Sequence, residues 1–475
     1  MQAAAPKHPA GPGEPPTPAL KKPTTLSPYV LLFCILVFAA LATWIIPAGE
    51  FQRVVRDGVT FVVPHSLHEV PRHGVGPGAV FMAIASGTVK SAAIIFLIMF
   101  TGGAVAVLER TGAIHCALNG ISGKSSSRDL PIIVAIGAVF ALLGTTGVVS
   151  NSVVAFVPLG LLIARSMRLP PIFGVGLVYL GAYSGFNVAI LSPQTTGLSQ
   201  RLAELPLFSG MGLRAAAFAA FTLTMIVFLV LYARRCRRLG DTGVGEEAAI
   251  GLDAAPVSRA TPSQWLALLF AAASLAVFIF GAIKLHWGET EMSATFIVIA
   301  IGVGAICRLA PSAVANEFLE GCGKLVHGAL IVGLARAISI VLHDGHILDP
   351  IVNFLADLLA PLHSAAAAVG MFLSAALMHV AISSGSGESA VLIPIYAPLG
   401  DALHLTRQVT VQAVLFGEGI VNCFNPTSGV LMAVLATAGI PYGKWVRFVL
   451  PLIGVWFVIC LVTLFIGVSI NWGPF

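Results

Sequence analysis

Charge is scarce in this sequence. Only 10% of its 475 residues are Asp, Glu, Lys or Arg, while 57% are hydrophobic; a soluble domain carries roughly 25% charged residues. That shortage excludes an ordinary soluble protein. With a mean hydropathy of +0.93, most of the chain belongs in a bilayer. The formal net charge of +5 is small, and no nucleic-acid partner is expected. The seven cysteines are scattered, with no C-x-x-C and no metal-ligand spacing. They read as reduced packing residues, and neither a metal nor a cofactor is expected. A G-x-x-x-x-G-K-[ST] phosphate loop is missing, which argues against an ATP-driven pump. No His-x-x-x-His pair or clustered catalytic set supports an integral-membrane enzyme.

What the chain has is apolar length. Runs near 20 residues are spanning candidates. About nine occur, at roughly 29–48, 91–108, 172–206, 212–233, 263–286, 292–308, 328–342, 407–438 and 448–470. Two further pairs, 131–148 with 152–166 and 364–382 with 390–403, have limbs short for full spans. Each pair meets at a Ser/Gly/Asn-rich tip and reads as a re-entrant hairpin. Residues 1–27 are Pro- and Ala-rich and are expected to be a disordered cytoplasmic segment. The run that follows reads as an uncleaved first span. Residues 59–63 look strand-like, and 79–90 and 311–325 could be amphipathic helices on the membrane surface.

The pattern occurs twice. Leu108-Glu109-Arg110-Thr111-Gly112 is answered by Leu342-His343-Asp344-Gly345, and the polar break Ser192-Pro193-Gln194-Thr195-Thr196-Gly197 by Asn425-Pro426-Thr427-Ser428-Gly429. Gly112 to Gly345 and Pro193 to Pro426 are each 233 residues apart. Internal repeats with broken membrane segments are the mark of a secondary transporter. The division is 28–233 and 263–475, joined by a cytoplasmic linker at 234–262. Seventeen of the 26 Lys and Arg residues fall on one side of this layout and eight on the other, with Arg336 inside a span. The bias puts the N-terminus in the cytoplasm and the C-terminus outside. Hairpin one opens inward and hairpin two outward, so the repeats are inverted. The fold class is an all-α polytopic membrane protein of two inverted repeats, each with a re-entrant hairpin and a broken helix.

In lipid, irregular backbone survives only where protein or a hydrated cavity covers it. The tips Gly147-Val148-Val149-Ser150-Asn151-Ser152 and Ser383-Ser384-Gly385-Ser386-Gly387-Glu388-Ser389 offer hydroxyl and amide oxygens for a cation and donors for a carboxylate. At the breaks, proline frees carbonyls, and half-helix N-termini can face an anion. The expected substrate contacts are Ser150, Asn151, Ser152, Thr195, Thr196, Arg336, Ser384, Ser386, Glu388, Glu418, Asn425 and Thr427. The expected ion contacts are Ser150, Asn151, Ser192, Ser383, Ser386 and Asn425, with Na+ or H+ as coupling ion. An ionisable group at mid-membrane costs about 2.5–3.5 kcal/mol on insertion scales and is a site hypothesis by default. Arg336 could bind a substrate carboxylate or pair with Glu388 or Glu418. His379 is read as a packed histidine.

Several stretches carry a family resemblance: Ala42-Thr43-Trp44-Ile45-Ile46-Pro47-Ala48-Gly49-Glu50-Phe51, Ser383 to Ser389, Phe416-Gly417-Glu418-Gly419 and Asn425-Pro426-Thr427-Ser428. Together they resemble the YfcC family of the C4-dicarboxylate anaerobic carrier (DcuC-like) group, which includes ArcD-type basic amino-acid antiporters. That group belongs to the ion transporter superfamily. The resemblance implies inverted repeats, hairpins and elevator motion. At the first tip this chain has Ser-Asn-Ser where close relatives tend to carry Gly-Glu-Glu, which favours a carboxylate substrate over a cationic one. The expectation is an inner-membrane secondary transporter of a C4-dicarboxylate-like acid or an amino acid, not an enzyme, forming a homodimer. The alternative is an arginine/ornithine-like antiporter.

Overall fold

The computed structural model describes residues 28–56, 59–72, 74–113, 129–240, 261–285 and 287–473. The expectations for 1–27 and for most of the 234–262 linker fall outside the described residues, as do Lys124 and Arg128, two of the seventeen basic residues expected on the cytoplasmic side. Helix α1 (Pro28–Ile45) leads into two antiparallel strand pairs, β1 (Gly49–Glu50) with β4 (His68–Glu69) and β2 (Arg53–Arg56) with β3 (Val59–Val62). Then come α2 (Pro77–Lys90), α3 (Ala92–Arg110), α4 (Asp129–Thr145) and α5 (Ser152–Ser166). The first broken segment is α6 (Pro171–Phe186) with the short α7 (Leu198–Leu202), followed by α8 (Met211–Leu239). The second half holds α9 (Pro262–Leu285), α10 (Glu289–Ile306), α11 (Pro311–Asp344), α12 (Leu348–Leu359), α13 (Ser364–Ile382) and α14 (Gly385–Ala402). It closes with α15 (Arg407–Asn422), α16 (Gly429–Thr437) and α17 (Tyr442–Ser469). Eight described helices are long and apolar enough to cross a membrane: α1, α3, α8, α9, α10, α11, α13 and α17.

Two expectations change. Residues 311–325 are not a separate surface helix. They are the first half of α11, which runs unbroken for 34 residues, about 51 Å at 1.5 Å per residue. Residues 79–90 pack on α11, because a Cβ on Gly87 would run into the backbone of Gly333 and Ala337. The α2–α3 pair is thus the counterpart of α11, interrupted only at Ser91. By length alone α13 is a span. It is nevertheless a hairpin limb, since Ser364 Oγ donates to Leu403 O at 2.8 Å, where α13 starts and α14 has just ended.

Inversion is visible in the packing. Gly102 and Gly321 meet backbone to backbone, as Gly87 and Gly333 do. Along the two long elements one index rises as the other falls, so they run antiparallel. Shifting by 233 sends Gly87 to position 320 and Gly333 to position 100, beside Gly321 and Gly102. The contact maps onto itself. The 29-residue α8 measures the other body. Near its start, Arg214 holds Gln408 and Gln412 by the mouth of hairpin two; near its end, Arg237 reaches Met167 O at the mouth of hairpin one. The hairpins open at opposite ends of this helix. One body is therefore α1, α2, α3, α9, α10 and α11. The other is the hairpins, the broken helices, α8 and α17.

Candidate functional site

Hairpin two ends its first limb sharply. Ser383 takes a left-handed φ of 26°, which stops α13, and Ser384 caps α14 by accepting from Gly387 N at 3.4 Å. Ser428 caps α16 in the same way, accepting from Leu431 N. Two helix N-termini, with their unpaired amides and positive dipole ends, come to one place. In hairpin one, Gly147 turns with φ 77° beside Ser192, and a Cβ there would press on the Ser192 hydroxyl.

The tips and breaks wall a cavity of about 280 Å³ between the two bodies. The first repeat supplies Ser150, Asn151 and Thr195; the second supplies Ser383, Ser384, Ser386, Glu418 and Thr427. Arg336 enters from α11 and is exposed to it within an otherwise buried stretch. Among the described residues no carboxylate pairs with Arg336, so the structure does not make the ion pair with Glu388 or Glu418 that the sequence left open.

Five expected contacts lie off the cavity wall. Ser152 faces a second pocket of about 230 Å³. Thr196 turns inward, donating to Ala189 O at 2.5 Å. Ser192 is buried with its hydroxyl unpartnered. Asn425 braces the second tip: Nδ2 reaches Ser383 Oγ at 3.3 Å and Oδ1 accepts from Thr427 N at 3.0 Å. Glu388 sits one layer behind, 2.6 Å from His379 Nδ1. Thr427 Oγ1 lies 2.8 Å from each of Ser383 Oγ, Asn425 Oδ1 and Val380 O. Ser383 carries its own hydroxyl proton and can donate to Thr427, whose single proton then serves Asn425 Oδ1 or Val380 O. Among the described residues no group of three His, Cys, Asp or Glu has metal-site geometry.

Sequence reasoning missed Lys90. The charge bias places it among the eight basic residues outside, whereas in the structure it ends α2 and lines the cavity together with Ser91. Its signal was position: a lone lysine at the joint between two apolar helices. Glu289 was missed as well. It begins α10 and accepts from Asn151 Nδ2 at 3.0 Å, a contact between the two bodies across 138 residues of sequence.

Residues 27–469 match the model of the family described as DcuC, the C4-dicarboxylate anaerobic carrier. The chain belongs to that family. This carrier is 29% identical to YfcC of Escherichia coli (strain K12), named as a proposed basic amino acid antiporter, over 93% of this chain and 96% of the relative. It is 24% identical to an uncharacterized protein of Haemophilus influenzae (strain ATCC 51907 / DSM 11121 / KW20 / Rd), over 94% and 97%. Among solved structures it resembles the Alcanivorax borkumensis YdaH transporter (TM-score 0.42, 15% identity, 94% of this chain and 100% of that one). It also resembles Neisseria gonorrhoeae MtrF (TM-score 0.40, 16% identity, 95% and 98%). The carrier is a multi-pass membrane transporter, and its partners are a bilayer and a small-molecule substrate.

Proposed function

We propose that the carrier moves a small organic anion with two carboxylates, of the C4-dicarboxylate class, across the inner membrane. The observation that carries this reading is charge. Arg336 and Lys90 enter one cavity and, among the described residues, neither pairs with a carboxylate; two helix N-termini open onto the same space. Each unpaired mid-membrane cation costs about 2.5–3.5 kcal/mol on insertion scales. A dianion removes both costs at once. Arg336 offers a planar fork to one carboxylate and Lys90 a point charge to the other. The runner-up, exchange of basic amino acids, draws on Glu418 in the same wall and on the name of the Escherichia coli relative. Melting curves of purified protein separate them. Succinate, fumarate or malate should raise the melting temperature while arginine and ornithine leave it unchanged; the reverse pattern would select the runner-up.

Motion follows from asymmetry. The cavity touches Lys90 to Ile94, near the middle of the α2–α3 pair, and Val332 to Ser339, in the second half of α11. Shifted by 233, these become 323–327 and 99–106. We read this arrangement, displaced along α11, as one of two equivalent states of a symmetric scaffold. In the other, the hairpin body would lie against 99–106 and 323–327, with the N-terminus cytoplasmic and the present state facing out. The Asn151–Glu289 bond would then belong to this state alone. Cysteines replacing Asn151 and Glu289, in a background without the native cysteines, should form a disulfide that stops transport until reductant is added. Transport at full rate through the intact cross-link would rule out sliding of the hairpin body.

A further inference from the structure

Behind one wall of the cavity lies an acid–imidazole cluster. His379 Nδ1 is 2.6 Å from Glu388 Oε2, and the two side chains are 1% and 0% exposed. Glu418 approaches from α15, its carboxylate filling the space that Gly385 leaves open; a Cβ on Gly385 would collide with it. His379 Nε2, Glu388 Oε1 and Glu418 Oε2 are all buried with no hydrogen-bond partner. Among the described residues neither glutamate pairs with a Lys or Arg. Arg336 from α11 and Lys90 from α2 line the same cavity, as do His379 and Glu418 themselves. Tyr183 from α6, Tyr396 from α14 and Cys423 after α15 complete the titratable surroundings.

We propose that His379, Glu388 and Glu418 form the carrier's proton-binding site. With the imidazole protonated and both carboxylates ionised the cluster holds a net charge of minus one; one further proton makes it neutral. A net charge on side chains this buried, with no Lys or Arg paired to the glutamates among the described residues, is unfavourable. Whether that proton is bound therefore depends on the charge next door. An anion arriving in the cavity beside Glu418 works against the negative state, so anion and proton favour one another, and the coupling is reciprocal. Glu418 and His379 exchange the proton with the cavity, and Glu388 holds the pair from behind. One proton enters from the side the cavity faces and the same proton leaves on the other side. No other bond changes. The sign of the coupling rests on the dicarboxylate reading; the location of the proton does not.

The test uses full-length protein in liposomes loaded with the pH dye pyranine. Wild type should accumulate labelled succinate when the outside is made acidic, with acidification of the lumen. Glu388→Gln removes the acid and keeps the size of the side chain. Its accumulation should fall to the level seen with the pH gradient collapsed. Wild-type accumulation driven by sodium with no dye response would overturn the proposal, as would a Glu388→Gln protein that still concentrates succinate on a pH gradient. Should that variant fail to fold, Glu418→Gln takes its place: loss of succinate-dependent acidification that wild type shows supports the site, and unchanged acidification, or none in wild type, overturns it. If wild type exchanges arginine and not succinate, the dicarboxylate reading fails. The dye response to arginine then decides the cluster, supporting it if present and lost in Glu388→Gln, overturning it if absent or unchanged.

Discussion

Arg336→Ala should lose nearly all carboxylate-dependent stabilisation while the ligand-free protein melts close to wild type. The side chain is exposed to the cavity and holds no acidic partner, so its removal strands no buried carboxylate. A hydrogen bond to a charged group contributes about 1.5–3 kcal/mol, which corresponds to roughly 10- to 100-fold in dissociation constant. Arg336→Lys should recover part of it, since the point charge survives and the fork does not. Differential scanning fluorimetry with and without succinate checks both halves. A sharp fall in the ligand-free melting temperature would assign Arg336 to structure, because removing one partner of a buried pair is strongly destabilising.

The second large effect is expected at Gly185→Ala. Helices α4 and α6 pack through small residues spaced four apart, Gly137 and Ala141 against Gly181 and Gly185, the close approach that membrane helices favour. A Cβ on Gly185 would overlap the Ala141 carbonyl and press on Thr145 N, both backbone. No side chain can swing aside, so α4 must move, and hairpin one moves with it. Overpacking costs about 1–3 kcal/mol, and two backbone contacts put this substitution at the upper end. Gly443→Ala, where nothing lies within 4 Å of the added carbon, is the matched control and should melt like wild type. Equal melting of the two variants would show that α4 and α6 do not need this contact.

The broken architecture was legible because lipid-like sequence makes polarity conspicuous. A Ser-Gly-Ser run or a Pro-Thr-Ser break among valines and leucines has few places to go. The 233-residue register of Gly112 with Gly345 linked the two copies, and the structure folds them about an antiparallel pair of long elements. What stayed hidden was tertiary. Lys90 stayed hidden because 79–90 reads as a helix on the membrane surface, and only packing against α11 turns its end toward the cavity. The continuity of α11 was missed because Asn316, Glu317 and Glu320 make its first half read as a surface segment. Glu388 looked like a tip residue, but one turn of α14 carries it behind the wall to His379. The Asn151–Glu289 contact joins two bodies and leaves no periodic signal in either.

Counterflow reports whether this cavity carries a dicarboxylate across the membrane. Proteoliposomes loaded with unlabelled fumarate are diluted into trace labelled fumarate. The account predicts a transient accumulation of label that excess succinate or malate abolishes, that excess arginine leaves intact, and that Arg336→Ala largely loses. Accumulation of labelled arginine in ornithine-loaded vesicles, with none of fumarate, would contradict it.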